Sequence, residues 1–158
     1  MINGSTFATM LLLAALALAG CSRPAADRAG SLPTGALDQA IGRAVGDPST
    51  CVLLADRASG KVLYRYGQSF NCVRGVPACD RAGFLSATQA LRLAGTPGGR
   101  GASCPSVADG SRTVGWAEGV VSGNHAGLIY SAMMEGQTAL PGHEMSARLD
   151  EAFQNAGL

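Results

Sequence analysis

Four cysteines, Cys51, Cys72, Cys79 and Cys104, restrict what this chain can fold into more than any other feature. They are separated by twenty, six and twenty-four residues, and none of these spacings is the close pair that a zinc site needs. Their chemistry follows from the compartment. Residues 7–18 form an apolar run that passes into the small residues Ala19 and Gly20. The run is shorter than the ~20 residues needed to cross a bilayer, so it reads as a secretory signal covering residues 1–20. In an oxidising compartment an even set of cysteines reads as two disulfides, with the connectivity left open and Cys72 to Cys79 among the options.

A fifth cysteine, Cys21, directly follows Leu18-Ala19-Gly20. This resembles the lipobox of bacterial lipoproteins. The resemblance implies that Cys21 becomes the acylated N-terminus of the mature chain. Its acyl chains would hold the protein on a membrane, each buried methylene contributing about 0.8 kcal/mol. Ser22 after the cysteine resembles the sorting pattern for the outer membrane, with the domain facing the periplasm. Residues 21–34, small and polar with Pro24 and Pro33, read as a lipid-attached linker, and residues 35–158 as one domain able to bury its own core.

Charge excludes several functions. The formal net charge is +1, the basic residues are eleven Arg and the single Lys61, and no basic run interleaved with aromatics is present. Nucleic acid is therefore not an expected partner. Two histidines, His125 and His143, are too few for a histidine-rich metal site, and no G-x-x-x-x-G-K-[ST] phosphate loop occurs. No cofactor is implied.

Along the chain, Thr34 is positioned to cap a helix over 35–45, with Leu37, Ile41, Ala44 and Val45 on one face and Gly46-Asp47-Pro48 as its stop. Residues 51–56 and 61–66 form a β-hairpin around Arg57-Ala58-Ser59-Gly60, with Val62, Tyr64 and Tyr66 alternating against Leu63 and Arg65. Residues 68–82 read as loop. Ser86 caps a helix over 87–94, ended by Gly95 and Pro97, and 96–101 is a Gly-rich connector. Strands are expected at 102–107, at 112–121 around Trp116, and at 126–134. The last is the most apolar and so belongs at the centre of a sheet. Asp109, Gly110 and Arg112 read as turn residues. A helix over 142–156 follows Pro141, with Met145, Leu149, Ala152, Phe153 and Ala156 as its buried stripe and Glu144 paired to Arg148 on the other side. The fold class is α+β, an antiparallel sheet of four or five strands packed by its N- and C-terminal helices and stapled by disulfides.

This order of elements resembles the sheet half of the penicillin-recognising serine enzymes, most of all the class D β-lactamases and their sensor relatives. The hairpin looks like the family's first two strands. Pro77-Ala78-Cys79-Asp80-Arg81-Ala82 looks like the Pro-Ala-Ser-x-x-Lys nucleophile motif, and Val114-Gly115-Trp116 with the strand and helix after it looks like the end of the family's sheet. Gly101-Ala102-Ser103-Cys104 falls where Lys-Thr-Gly would stand. The departures are chemical. Cys79 replaces the serine, Ala82 replaces the lysine that would take its proton, the only lysine lies in the hairpin, and the helical half has no counterpart. The resemblance thus implies the fold and not the activity. It also places the nucleophile position beside the third strand, which implies Cys79 bonded to Cys104 and Cys51 to Cys72.

Cys79 is the one candidate nucleophile, with His125 or His143 as its base and Arg81 as a nearby cation. The competing reading is a structural disulfide. Glu118, Glu135 and Glu144 each fall at expected element ends and make no paired-carboxylate site. Trp116 reads as core. The expected function is a membrane-anchored, non-catalytic periplasmic role, structural or binding a cell-wall or envelope protein partner. Two alternatives stand beside it: a hydrolase of peptidoglycan or a β-lactam acting through Cys79, and a small inhibitor of a lysozyme or protease.

Overall fold

A computed structural model describes residues 32–95 and 100–158. The signal segment, Cys21, most of the linker and residues 96–99 of the Gly-rich connector lie outside them. These described residues form one compact α+β unit. Helix α1 spans Thr34–Val45, strand β1 Cys51–Asp56, strand β2 Val62–Tyr66 and a short helix α2 Ser69–Val73. Strands β3, Val76–Pro77, and β4, Phe84–Leu85, make a small separate ladder, followed by helix α3, Ala87–Leu91. Strands β5, Arg100–Pro105, β6, Thr113–Val120, and β7, Leu128–Gly136, complete the main sheet, and helix α4, Gly142–Asn155, ends the chain.

The main sheet has five antiparallel strands in the order β2-β1-β7-β6-β5. The apolar strand expected at the centre is there: β7 pairs with β1 on one side and β6 on the other. Its side chains alternate between two cores. Leu128, Tyr130, Ala132 and Met134 face α1 and α4, together with Val52, Leu54 and Ala117. Ile129 and Met133 face α3 and the β3–β4 ladder, together with Cys51, Leu53, Val114 and Trp116. Two covered faces explain why β7 reads as a continuous apolar run, while the edge strand β2 alternates and buries only Tyr64. The Tyr64 hydroxyl donates to Asp38 at 2.7 Å and so ties that edge to α1.

The α4 stripe is as expected, with Met145, Leu149, Ala152, Phe153 and Ala156 all buried, and Arg148 reaches Glu144 at 2.6 Å. The start of α4 presses on the sheet where glycine allows it. A Cβ on Gly115 would sit 2.0 Å from the Leu140 carbonyl oxygen, and one on Gly142 would sit 2.2 Å from that of Trp116. The glycine beside Trp116 is therefore a requirement of close backbone approach.

Several local expectations are corrected. Thr34 is the first helical residue and not the cap: the Pro33 carbonyl accepts the first helical bond from Leu37 N at 2.9 Å, and no side chain caps the end. The stretch 68–82 is not all loop, since it holds α2 and β3. The third strand begins at Arg100 and stops at Pro105. Ser86 does cap α3, with a full capping box: its hydroxyl accepts from Gln89 N, and the Gln89 carboxamide accepts from Ser86 N at 2.9 Å.

Arg112 does more than shape a turn, and Glu135, next to last in β7 as expected at a strand end, does more than close the strand. Glu135 is buried, and it accepts from Arg112 at 2.8 and 2.7 Å, Arg74 at 3.0 Å and Ser106 at 2.7 Å. One carboxylate thus joins the segment after α2, the β5–β6 connection and β7. The Arg112 hydrogen bonds lead in holding its carboxyl down to about 2; burial opposes them, and Ser106 and Arg74 add to the lowering. Because the folded value lies below the unfolded one, this stability is present above the ordinary carboxylate range and is lost as pH falls toward about 2. The size is about 3 kcal/mol, taking 1.36 kcal/mol per unit of the drop from 4.5 to about 2. In urea denaturation between pH 5 and 2, the Glu135→Gln variant will show a flatter loss of stability than the parent chain.

Candidate functional site

The candidate site forms where the β3–β4 ladder meets the open end of the sheet. Pro77 pairs with Phe84, and Ala78 N donates to the Gly83 carbonyl at 3.1 Å, so residues 78–83 close into a turn. Gly83 takes φ +91° without cost. Cys79 takes φ 66°, and it is the one non-glycine with positive φ among the described residues. A left-handed L-residue costs roughly 1–2 kcal/mol. The Asp80 N–H donates to the Ala78 carbonyl at 2.9 Å across Cys79, and the Cys79 side chain is bonded to Cys104 on the edge strand β5. The second disulfide joins Cys51 to Cys72, and so β1 to α2, inside the core. This is the pairing that the resemblance implied, and the Cys72 to Cys79 alternative does not form.

Under this turn lies a polar cluster. Trp116 is fully buried, and its indole N–H donates to the Pro77 carbonyl at 2.8 Å, fixing the entrance to the turn. Arg100 stands above the Trp116 ring, 5.9 Å from its centroid. Its guanidinium pairs with Asp80 in the turn and, at 2.8 Å, with Glu118 Oε1 on the neighbouring strand. Arg81 pairs with Asp80 at 3.1 Å. Glu118 lies inside β6, opposite Arg100 on β5 and Ser131 on β7, and is 3% exposed. This corrects its expected place at an element end. A carboxylate two residues from Trp116 on the same strand shares its face, and that periodicity was the available signal. Arg100 and Ser131 carried no comparable signal, since their partners come from separate segments.

The electrostatics of the cluster are uneven. Burial raises Glu118, and the charges of Arg100 and Arg81 offset only part of that. Its contact with Arg100 lacks hydrogen-bonding geometry, so Glu118 Oε1 and Arg100 Nη2 are buried without a hydrogen-bond partner, as are Arg100 Nε and the Ser131 hydroxyl. Burial would also raise Asp80, but the hydrogen bond from Arg81 and the Arg100 charge outweigh it, and Asp80 is lowered.

Neither histidine serves the turn. His143 lies in the first turn of α4, its backbone against Gly101, on the face of β5 opposite the one packed with Cys104. His125 follows the end of β6, in the 3-10 turn Gly123–His125, whereas the Cys79 sulfur lies 4.0 Å from the Val114 carbonyl near the start of that strand. Glu144 is on the surface of α4, paired to Arg148. Asp109 does shape its turn, accepting from Ser111 N at 2.9 Å. Among the described residues no group of three His, Cys, Asp or Glu could hold a metal ion, and no helix is long and apolar enough to cross a membrane. Comparison with protein-family models, curated proteins and solved structures gives no match.

What the arrangement does chemically is hold a buried charge in place. Arg100→Ala leaves Glu118 buried without its cation and will cost about 3 kcal/mol in urea denaturation. Adding Glu118→Gln will recover most of that loss, because the unpaired charge is its cause. The same Glu118→Gln change will remove a fall in stability above the ordinary carboxylate range. That fall arises because folded Glu118 holds its proton more tightly than the unfolded chain does.

Proposed function

We propose that this chain is a lipid-anchored periplasmic protein with a truncated penicillin-binding-like domain, and that its role is to bind a cell-wall or envelope protein partner without catalysis. The observation that carries this reading is the bond of Cys79 to Cys104. Cys79 stands at the position that resembles the family's nucleophile, and Cys104 is on the third strand of the main sheet. A sulfur in a disulfide is no nucleophile, and Ala82 supplies no base. The α+β sheet with its first and last helices on one face supports the fold part of the reading.

Binding is favoured over a purely structural role by what is left in water. Phe84, Phe70 and Val73 are 74%, 69% and 63% exposed. Large apolar side chains gain nothing by facing solvent and are common at contact surfaces.

The localisation test is fractionation of cells expressing the full chain. The parent protein will sediment with outer membranes, and Cys21→Ala will move to the soluble envelope fraction; a parent protein that is soluble would remove the anchor. The activity test uses a fluorescent penicillin on protein purified without reductant. No covalent label is expected, and a non-reducing peptide map will show the peptides of Cys79 and Cys104 linked. Labelling lost in Cys79→Ser would instead establish the hydrolase.

A further inference from the structure

We propose that the Cys79–Cys104 bond is a thiol–disulfide exchange site for a dithiol reductant, whereas Cys51–Cys72 is a permanent cross-link. The two bonds close loops of nearly equal length, with sequence separations of 25 and 21, so chain entropy does not distinguish them. Their surroundings do. Cys51 and Cys72 are 0% and 3% exposed and belong to the core beneath α3. A thiolate reaches them only when that core opens. Cys79 and Cys104 are both partly exposed; one sits in a turn whose residues 80–83 face solvent, the other on the edge strand. Exchange requires the attacking sulfur to reach the bond, and partial exposure at the rim of the core favours this pair over the sealed one.

Backbone conformation adds to access. Cys79 is held at φ 66°, in a region that an L-residue leaves when released. Opening the bond removes one of two constraints on this residue, the other being the hydrogen bond from Asp80 N to the Ala78 carbonyl at 2.9 Å. In the exchange, a thiolate of the reductant attacks one sulfur of the bond, forms a mixed disulfide and releases the other cysteine as thiolate. The reductant's second thiol then displaces the remaining cysteine. Two electrons pass to the protein, both cysteines take up a proton, and the reductant leaves as its own disulfide.

The consequence reaches the polar cluster. Asp80, next in the chain, holds Arg100, and Arg100 covers Glu118 and stands on Trp116. A freed turn takes Asp80 away and leaves Arg100 tethered only from within the sheet. The reduced protein then presents two thiols beside a guanidinium–carboxylate pair that the oxidised protein keeps closed. This inference needs neither the lipid anchor nor an envelope partner for the domain, and it concerns the same Cys79–Cys104 bond that the non-catalytic reading rests on, in its reduced rather than its oxidised state.

The test titrates the full chain with dithiothreitol, quenches in acid, alkylates free thiols and locates them by peptide mass. Cys79 and Cys104 will become alkylated at reductant concentrations about tenfold below those needed for Cys51 and Cys72. Far-UV circular dichroism will be unchanged at that stage, and Trp116 emission will shift as the turn leaves its indole. Joint opening of both bonds, earlier opening of Cys51–Cys72, resistance of both until the chain unfolds, or loss of the dichroism signal together with the first bond would each overturn the proposal.

Discussion

Strand β7 is paired along both edges and covered on both faces, and the rest of the fold is arranged to satisfy it. A strand in that position can carry hardly any polar side chain without a dedicated partner. From Leu128 to Glu135 every residue is buried. The two sides divide the labour. Toward α1 and α4 the contacts are apolar, with Tyr130 set edge-on to Phe153 at 5.2 Å and its hydroxyl bonded to Ser146. Toward α3 and the β3–β4 ladder the strand also carries Ser131 and Glu135, and the polar structure of the molecule gathers around them.

Two buried carboxylates on this second face have opposite fates for one reason, the number and geometry of donors. Glu135 receives two guanidinium groups and a hydroxyl in good hydrogen-bonding geometry, and its carboxyl falls to about 2. Glu118 has one guanidinium at ion-pair distance without that geometry, and burial raises it. The first is a fastener between three segments. The second is a charge kept in place by Arg100, which in turn depends on Asp80 and so on the turn that Cys79 anchors. The strained residue, the partly exposed disulfide and the unsatisfied carboxylate are therefore one structure and not three.

Elements long enough to repeat a period were legible in the residues. The hairpin β1–β2 shows its alternation, α4 shows a full stripe from Met145 to Ala156, and Ser86 announces α3. Helix α2 and the β3–β4 ladder were not legible, since five residues and two residues are too few to display any period. The polar cluster was hidden for a different cause. Asp80, Arg100, Glu118 and Ser131 come from four segments, and only the sheet register sets Arg100 opposite Glu118 and Glu118 opposite Ser131.

The sequence by itself determined the α+β class, the central place of the apolar strand and the presence of two disulfides among four cysteines. Each of these follows from composition and periodicity, which act locally along the chain. Tertiary structure decided which cysteine meets which, that Cys79 sits in a left-handed conformation, and that one bridge is sealed in the core while the other is partly exposed at its rim. Those outcomes depend on the distance and exposure of residues far apart in the chain, set by the packing of β5 beside the β3–β4 turn and of α2 against β1.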